Sequence, residues 1–459
     1  MEPGQPSLGK VFIRTFGCQA NFYDSSRIRE AFLASGYRVV DDMHNADVFV
    51  MNTCHVREKA GEKVFSELGR VRTIKNSRAR RGQPMVIVVT GCVAKAEGKN
   101  IFERMPMVDA VVSVENQHRI PSIVEEILQG SGHSKMVLAT EDLGKERKFA
   151  VLPERRTQGG VSETIVIQDG CDKFCSYCTV PFTRGREYSR PVDDVLREAN
   201  WLVGNGTREI TLLGQNVDNY GGLDRHGRRT PLGELIRMVS SIGALERIRY
   251  LTSYPSQFGD DLIELHRDLP KLMPLIYIPA QSGSNGVLKS MNRRYTREQY
   301  LDLIRRIRGS VKDIAFSSDF IVGFPGETEE DFEATLNLVE TVDYALAFSF
   351  KYSPRPKTAS IRMPNQVPED VKTERLDRLQ ALLDRQRINF NGNHLGKIVE
   401  VLVENALPRS KNTFFGKTPH SQPVLFTTSG SPELVGSTVR VRINGVTLRT
   451  LKGELLEIC

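Results

Sequence analysis

The sequence predicts an α/β protein in three parts: an N-terminal parallel-sheet α/β domain, a central partial (β/α)6 barrel and a small C-terminal β-barrel. Short apolar, β-branched runs alternate with helical patterns over residues 10–125 and again over 164–351, as in sheets with crossover helices. Beyond residue 390 the pattern changes to short β-rich runs broken by Pro and Gly, which is typical of small all-β barrels. A chain of 459 residues is long enough for two or three domains.

Three cysteines follow strands of the N-terminal domain. The strands are predicted over residues 11–16, 46–51, 85–89 and 110–114. Cys18, Cys54 and Cys92 come within three residues of the ends of the first three. A single cysteine at a strand end is more often a small buried apolar residue than a ligand. Because parallel strands bring their carboxyl ends to one edge of a sheet, the threefold repetition favours a three-thiolate site.

Polar residues also follow the predicted strands of the central barrel. These strands are predicted over residues 164–168, 209–213, 247–252, 275–278, 315–322 and 346–351, and helices such as 191–203 and 327–342 separate them. Cys171, Gln215, Asn216, Ser253 and Gln281 come just after the first four runs. Since barrel chemistry gathers at the carboxyl ends of strands, they are candidate site residues. The alternative is that the polar side chains satisfy only loop backbone.

The predicted domain boundaries are 9–127, a linker over 128–156, 157–390 and 391–459. An amphipathic helix over 371–390 leads out of the central barrel. The C-terminal domain offers candidate phosphate contacts and stacking partners for RNA, and a basic cluster lies near the end of a helix in the N-terminal domain. The first set is Lys411, Lys417, Arg440, Arg442, Phe414 and Phe415, and the basic cluster is Arg70, Arg72, Lys75, Arg78, Arg80 and Arg81. For the basic cluster, a solvated helix end is as good an interpretation as RNA contact.

The composition limits the classes of function. A net charge of +7 and a pI near 9.0 suit a partner rich in phosphate, although the excess is modest. Seven cysteines, four of them far apart, argue against a secreted disulfide framework and for metal ligation under reducing conditions, with Cys459 as the odd one out. No stretch approaches about 18 apolar residues, and the N-terminus lacks the regions of a signal peptide. We therefore expect a cytoplasmic protein without a membrane partner.

Cys171, Cys175 and Cys178 form a second triplet, with the spacing CxxxCxxC directly after a predicted strand. Three thiolates are one fewer than a closed tetrahedral site or a fully ligated cubane requires, which implies an open coordination position. A structural zinc site is the alternative, and its fourth ligand would have to come from elsewhere because no histidine lies between His133 and His226. For the N-terminal triplet, His55 is the residue that could complete such a zinc site.

Five runs resemble the radical S-adenosylmethionine methylthiotransferases, and in particular their tRNA-modifying members. They are TFGCQAN, MNTCHVREKAGEKVFSELGR, TGCVAKAE, CDKFCSYCTVPFTRGRE and QSGSNGVLKSMNRRYT. The resemblance covers nearly the whole chain and implies that the β-rich tail is a TRAM domain. Ala20, His55 and Thr179 differ from the residues that are usual in the family at these positions, but none of these differences removes a cysteine.

The resemblance implies two [4Fe-4S] clusters and two equivalents of S-adenosylmethionine. Cys171, Cys175 and Cys178 would hold the catalytic radical cluster, and Cys18, Cys54 and Cys92 an auxiliary cluster. Our hypothesis is that the four polar residues at the barrel strand ends bind the ribose and amino-acid portion of S-adenosylmethionine: Gln215, Asn216, Ser253 and Gln281.

The implied substrate is the anticodon stem-loop of tRNA that carries N6-isopentenyl (dimethylallyl) adenosine at position 37, and the implied product is its 2-methylthio derivative. An electron donor and a sulfur donor would be further partners. The nearest alternatives are the same chemistry on threonylcarbamoyl adenosine of tRNA or on a ribosomal protein. A different class would be a non-catalytic metal-containing RNA-binding protein with two structural sites.

Overall fold

The structure is a computed structural model, and it describes residues 8–54, 58–130, 137–140, 145–150, 156, 159–407, 410, 412–430 and 433–459. A parallel sheet, a partial barrel and a small closed barrel follow one another along the chain. The fold class predicted from the sequence is therefore confirmed.

The first unit is a parallel sheet with the strand order β2-β1-β3-β4-β5-β6. Its strands are β1 (Lys10–Phe16), β2 (Arg38–Val39), β3 (Val48–Thr53), β4 (Val86–Thr90), β5 (Ala110–Val112) and β6 (Val137–Ala139). Its helices are α1 (Gln19–Ala34), α2 (Glu58–Ala79), α3 (Cys92–Glu97), α4 (Asn100–Arg104), α5 (Ile120–Gln129) and α6 (Lys145–Ala150). Because β1, β3 and β4 are neighbours, the three carboxyl ends that precede the cysteines meet at one edge.

Strands β3 and β4 are buried along their whole length. Phe49, Met51 and Ile87 face one apolar core, and Val48 and Val50 face the other. Burial on both faces is why these parallel strands appear in the sequence as continuous apolar runs.

Two edge strands of this sheet escaped sequence analysis. β2 has two residues and β6 has three, which is too short for a periodic pattern to show. β6 lies within the segment 128–156 that we predicted as a linker, and it pairs with β5 from Ala110↔Val137 to Val112↔Ala139. That segment therefore contributes a strand to the sheet, while the domain boundaries themselves stay a prediction.

The second unit contains two parallel three-stranded sheets, β7-β10-β13 and β14-β15-β16. Between them the Ile248 amide donates to the Lys271 carbonyl at 2.7 Å, and the Ser253 amide to the Tyr277 carbonyl at 3.3 Å. These bonds join the sheets into the predicted partial barrel. Its main strands are β7 (Ser162–Val166), β10 (Glu209–Leu213), β13 (Arg247–Leu251), β14 (Leu275–Tyr277), β15 (Ala315–Val322) and β16 (Leu346–Lys351).

Helices and two short ladders complete this unit. The helices are α7 (Val180–Thr183), α8 (Val192–Gly204), α9 (Leu232–Ser240), α10 (Asp260–Asp268), α11 (Asn285–Ser290), α12 (Arg297–Ser310), α13 (Glu329–Val342) and α14 (Glu369–Gly392). The antiparallel ladders are β8 (Gln168–Asp169) with β9 (Tyr188–Ser189), and β11 (Gly221–Leu223) with β12 (Arg229–Pro231). One continuous apolar core runs from Ile165 on β7 to Leu383 on α14.

The third unit is a closed β-barrel with the order β17-β18-β19-β21-β20. Its strands are β17 (Ile398–Ala406), β18 (Thr413–Lys417), β19 (Pro423–Thr427), β20 (Thr438–Val446) and β21 (Leu451–Ile458). Arg247 and Arg249 on β13 donate to the carbonyls of Lys417 and Pro419, each at 2.8 Å. Since Arg247 begins β13, the small barrel is fixed at the amino end of a central strand, opposite to the end where the cysteine loop lies.

Within the ranges that the structure describes, no helix is both long and apolar enough to span a bilayer.

Candidate site at two cysteine triplets

The central triplet lies on one loop at the carboxyl end of β7. The β8–β9 ladder closes the base of this loop, which carries Cys171, Cys175 and Cys178. Within it the Cys178 amide donates to the Cys175 carbonyl at 2.9 Å, and Phe174 adopts a left-handed backbone with φ +50°. This tight turn is part of the one short loop that carries all three thiols.

The segment 290–293 anchors this loop from the barrel side. The Ser176 amide donates to the Met291 carbonyl at 3.0 Å, and the Ser176 hydroxyl donates to the Ser290 carbonyl at 2.8 Å. Asn292 Nδ2 donates to the Phe174 carbonyl at 2.9 Å. These bonds fix the position of the cysteine loop relative to the barrel.

A half-buried cation lies beside the central thiols. Arg293 Nη1 is 3.6 Å from Cys175 Sγ, and its guanidinium lies 4.4 Å from the ring centroid of Tyr254. Burial raises the pKa of Cys171 to about 11 and that of Cys178 to about 12. Because a metal binds thiolates, a metal held here would displace protons, and the nearby guanidinium would offset part of the negative charge.

The N-terminal triplet comes together at the carboxyl edge of the first sheet. Cys18 directly precedes α1, Cys54 follows β3, and Cys92 is the first residue of α3. The hydrogen bond from Cys54 and the charge of Arg184 outweigh burial and lower the pKa of Cys18 to about 5, whereas burial raises the pKa of Cys92. The structure thus gathers the three cysteines that the sequence places 36 and 38 residues apart.

Two glycines allow this close approach. A Cβ on Gly91 would lie 2.4 Å from the Thr53 carbonyl oxygen, and one on Gly17 would lie 2.8 Å from the Cβ of Cys54. Gly91 has φ +93° and ψ −165°, a region that essentially only glycine adopts. The strand ends can therefore meet only because these positions carry no side chain.

Arg184 joins the loop of the central triplet to the first unit. It belongs to the loop of the central triplet, it is buried, and it hydrogen-bonds the thiol of Cys92. Its Nη2 lies 2.6 Å from Asp24 Oδ2 on α1, and its Nη1 lies 3.0 Å from Asp169 Oδ1 on β8. Lys148 Nζ lies 2.8 Å from Asp169 and 3.3 Å from Asp24. Cations and carboxylates from both units therefore form one buried network beside the thiols.

Family models match three stretches of the chain: the radical SAM superfamily over residues 165–339, the uncharacterized protein family UPF0004 over 10–113 and the TRAM domain over 392–456. The tRNA-2-methylthio-N(6)-dimethylallyladenosine synthase of Rickettsia typhi is 45% identical over 448 residues, which cover 97% of this chain and 99% of that protein. The chain belongs to the radical S-adenosylmethionine methylthiotransferase family.

Solved structures of other radical enzymes share the fold of this methylthiotransferase. The radical S-adenosylmethionine methyltransferase TsrM from Kitasatospora setae, with cobalamin and a [4Fe-4S] cluster bound, matches with a TM-score of 0.55 and 15% identity over 77% of this chain and 74% of that one. The cobalamin-dependent enzyme OxsB, with aqua-cobalamin and S-adenosylmethionine bound, matches with a TM-score of 0.50 and 14% identity over 82% and 56%. At such identities the likeness shows the fold alone.

Membership of the methylthiotransferases implies a [4Fe-4S] cluster and S-adenosylmethionine, and the donor sets fit a cluster. Each triplet offers three thiols, and a guanidinium lies beside each of them, the half-buried Arg293 at the first and the buried Arg184 at the second. In the part of the chain that the structure describes, no three His, Cys, Asp or Glu side chains are arranged to hold a single metal ion. His55, the residue that could complete a zinc site, lies outside the described residues.

The four predicted contacts for S-adenosylmethionine lie at the carboxyl ends of their strands. Gln215 Oε1 accepts from the Gly170 amide at 2.5 Å, and the Asn216 amide donates to Gln168 Oε1 at 2.9 Å. The Ser253 hydroxyl donates to Asp218 Oδ1 at 2.9 Å.

Gln281 has a left-handed backbone with φ +68°, and its amide donates to the Asp319 carbonyl at 2.9 Å. The Gln215 and Ser253 side chains thus bond to neighbouring loops, which is the alternative that the sequence left open. A role for these four residues as cofactor contacts stays a prediction.

The predicted RNA contacts divide into engaged and exposed residues. In the basic cluster, Lys75 Nζ lies 2.5 Å from Asp109 and Arg78 Nη2 lies 2.6 Å from Asp47, so both cations serve helix–sheet packing. The members that remain exposed are Arg70, Arg72, Arg80 and Arg81.

In the TRAM barrel, Phe414 cannot stack on a base, and that prediction was wrong. The alternation of β18 turns its side chain inward, where it is 3% exposed and stacks on Phe426 at 5.7 Å between ring centroids. Lys417 Nζ lies 2.9 Å from Glu404, and Arg440 Nη1 lies 2.7 Å from Glu457. Arg442 is exposed, and Lys411 lies outside the described residues.

Sequence analysis missed the cations of the site. Arg184 and Arg293 stand in two of the runs that carry the family resemblance, TVPFTRGRE and NRRYT. The spacing within these runs could not assign them, because their partners lie far away in the chain: Asp24 is 160 residues before Arg184, and Cys175 is 118 residues before Arg293. The one available signal was that both arginines stand in runs that carry the family resemblance.

Proposed function

We propose that this methylthiotransferase converts N6-dimethylallyl adenosine at position 37 of tRNA to its 2-methylthio derivative. The observation that carries the proposal is the pair of cysteine triplets from separate units, joined by Arg184, which follows the central triplet in the chain, pairs with Asp24 of the first unit and contacts Cys92. The relative from Rickettsia typhi, similar over the full length, is named as the enzyme that makes this product. The TRAM match over residues 392–456 agrees with an RNA substrate.

In this proposal Cys171, Cys175 and Cys178 hold one [4Fe-4S] cluster, and Cys18, Cys54 and Cys92 hold the second. Each triplet leaves one coordination position free of protein thiolate, where S-adenosylmethionine or a sulfur species can bind. When bound, the clusters and two equivalents of S-adenosylmethionine supply the carbon radical, the sulfur and the methyl group. An electron donor and a sulfur donor complete the set of partners.

The residues of the chain position these groups and balance their charge. Arg293 and Arg184 lie beside the cysteines and would lower the energy of negative charge on their thiolates. The segment 290–293 holds the cysteine loop by backbone and side-chain hydrogen bonds, which fixes the first site relative to the barrel. Such preorganisation is the part of a radical reaction that a protein can supply.

The substrate must enter as an unpaired nucleotide. The C2–H bond of adenine is not acidic enough for a side chain to deprotonate at neutral pH, so the reaction requires a radical next to the base. A base within a helix cannot reach such a site, whereas a loop nucleotide can leave its stack at low energy. The anticodon loop offers such a nucleotide.

The test is a reaction of anaerobically reconstituted protein with S-adenosylmethionine, dithionite as reductant and an anticodon stem-loop RNA that carries N6-dimethylallyl adenosine. We expect the 2-methylthio nucleoside in the RNA digest, 5′-deoxyadenosine in solution, and neither with Cys175→Ala. A product formed only on threonylcarbamoyl RNA or on a ribosomal protein would contradict the substrate. Bound zinc without 5′-deoxyadenosine would leave only an RNA-binding protein. A cytoplasmic location stays a prediction.

A further inference from the structure

A cavity of about 280 Å³ opens beside the central triplet. Cys175, Cys178 and their neighbours form one wall, and the segment 357–362 after β16 forms the other. The Ser360 amide donates to the Ser176 carbonyl at 2.9 Å, so a backbone bond holds the two walls together. The volume is close to the lower limit of small-molecule pockets, about 300 Å³, and suits part of a nucleotide.

Large apolar side chains are exposed around this cavity. Phe174 is 51% exposed, Phe182 is 38% exposed and Ile361 is 43% exposed, and all three line it. A group of exposed apolar side chains on one concave surface is typical of a binding site for an apolar ligand. Because Cys178 also lines the cavity, an apolar group bound there would lie beside the first cluster.

Two cations complete the cavity. Lys357 and Arg362 line the same wall as Ile361, and the described lining residues include no carboxylate. Lys357 has a left-handed backbone with φ +68°, a conformation that a non-glycine residue adopts at an energetic cost and that often marks functional loops. A lining that combines exposed apolar side chains with two cations and no carboxylate matches an alkylated base whose neighbouring phosphates are negative.

We propose that this cavity binds the target nucleotide, with the N6-alkyl substituent against Phe182 and Ile361 and the flanking phosphates at Lys357 and Arg362. The inference rests on the proposed function and adds the side chains that distinguish alkylated from unmodified adenosine. With Lys357 and Arg362 assigned to the flanking phosphates, the substituent meets Phe182 and Ile361, which offer no hydrogen bond to the carboxylate and polar atoms of a threonylcarbamoyl group. The cavity therefore selects for a hydrocarbon substituent.

The test measures the affinity of the reconstituted enzyme for two anticodon stem-loop RNAs, one with N6-dimethylallyl adenosine and one with unmodified adenosine. We expect the wild type to prefer the alkylated RNA by at least about tenfold, the scale of discrimination by an apolar pocket. Phe182→Ser and Ile361→Ser should each lower this preference severalfold, with unchanged affinity for unmodified RNA. Leu223→Ser, at a 54% exposed residue on β11, is the matched control and should leave the preference intact.

Lys357→Gln and Arg362→Gln should weaken the binding of both RNAs and leave the preference unchanged. Each lost phosphate contact should also lower the slope of log affinity against log salt by about 0.7. The iron content of every variant, measured beside the affinity, shows whether the cysteine loop is intact.

The outcomes separate this inference from the function on which it rests. If the enzyme modifies dimethylallyl RNA while Phe182→Ser and Ile361→Ser keep the full preference and iron content, the cavity assignment is wrong and the function stands. The cavity assignment is also wrong, and the function again stands, if the active wild type shows no preference for the alkylated RNA. If the wild type modifies only threonylcarbamoyl RNA or a protein, the proposed function fails and the cavity assignment fails with it.

Discussion

Arg184 is the residue that most directly links the two cysteine sites. Its guanidinium is 3% exposed and lies between carboxylates from two structural units, Asp24 on α1 and Asp169 on β8. A buried cation is tolerated only when its charge is paired and hydrogen-bonded. The same position puts it against the Cys92 thiol, so one side chain serves both the packing of the units and the charge of the second site.

Arg184→Ala should lower the free energy of unfolding of the cluster-free protein by about 3–5 kcal/mol, because it leaves buried carboxylates with Lys148 as their remaining partner in the network. Urea titration followed by circular dichroism measures this change. Arg186→Ala is the control, since Arg186 is 85% exposed in its pair with Asp172 and should contribute no more than about 1 kcal/mol. Equal effects of the two substitutions would show that Arg184 is not a buried link.

Asp218 makes the stability of the protein depend on pH. Burial raises its pKa to about 7, although hydrogen bonds from the Tyr254 amide and the Ser253 hydroxyl oppose the shift. An unfolded Asp is ionised above about pH 4, so between pH 4 and 7 the folded state binds the extra proton. The contribution of Asp218 to stability is therefore present at low pH and is lost as pH rises through about 7.

The free energy of unfolding of the wild type, compared with that of Asp218→Asn, should accordingly fall between about pH 4 and 7 and level off above about pH 7. The variant cannot ionise, so the difference between the two proteins isolates the titration of this one group. Urea titrations at a series of pH values provide the measurement. A difference that stays constant with pH, or that grows in favour of the wild type, would contradict the raised pKa.

At the scale of elements, the helices and strands around the N-terminal triplet depend on glycine. β4 must turn into α3 within two residues while the Thr53 carbonyl lies against Gly91. The sequence signal for this turn, TGC, predicted the strand end and the cysteine but not the distance to β3. Register and close approach are properties of the paired strands, which a single run of residues cannot encode.

Gly91→Ala should destabilise the protein by about 3–4 kcal/mol, since it combines an unfavourable backbone conformation with a clash against backbone atoms. Gly98→Ala at the other end of α3 is the matched control. Gly98 also has a positive φ, +51°, but its Cβ would meet no atom within 4 Å, so we expect about 1–2 kcal/mol. Thermal unfolding measures the stability of the two variants. If they proved equally stable, the close approach of Gly91 to the Thr53 carbonyl would be contradicted.

Long periodic elements were predictable, and short or long-range ones were not. β15 and β16 were predicted to the residue, at 315–322 and 346–351, because each is a run of six or more residues rich in apolar and aromatic side chains. β6 escaped because three residues carry no period. Phe414 was assigned to the wrong face because Phe414 and Phe415 are adjacent. The sequence alone does not reveal which of the two points into the barrel.

At the scale of the whole molecule, a buried ion network holds the first unit against the barrel. Glu198 on α8 accepts from Arg190 at 2.8 Å and lies 3.7 Å from Arg156 and 4.0 Å from Arg27. Tyr23 on α1 donates to the same carboxylate at 3.4 Å. Because Arg27 and Tyr23 belong to the first unit, Glu198 ties that unit to α8 of the barrel.

Glu198→Ala should destabilise the protein by about 3–5 kcal/mol and separate the unfolding of the first unit from that of the barrel, because three buried guanidinium groups lose a shared partner. Arg197→Ala on the same helix removes an exposed pair with Asp194 and should cost less than about 1 kcal/mol. Calorimetry of the two variants distinguishes them. A single transition at the wild-type temperature in Glu198→Ala would contradict the role of the network.

The assembly of two incomplete thiolate sites is tested most directly by iron and sulfide analysis of the anaerobically reconstituted protein. The wild type should bind about eight iron atoms per chain, four for each [4Fe-4S] cluster. The variants that replace all cysteines of one triplet with alanine, either Cys18, Cys54 and Cys92 or Cys171, Cys175 and Cys178, should each retain about four. A wild type with about four iron atoms, or a triple variant that keeps all the iron of the wild type, would show that one triplet holds no cluster.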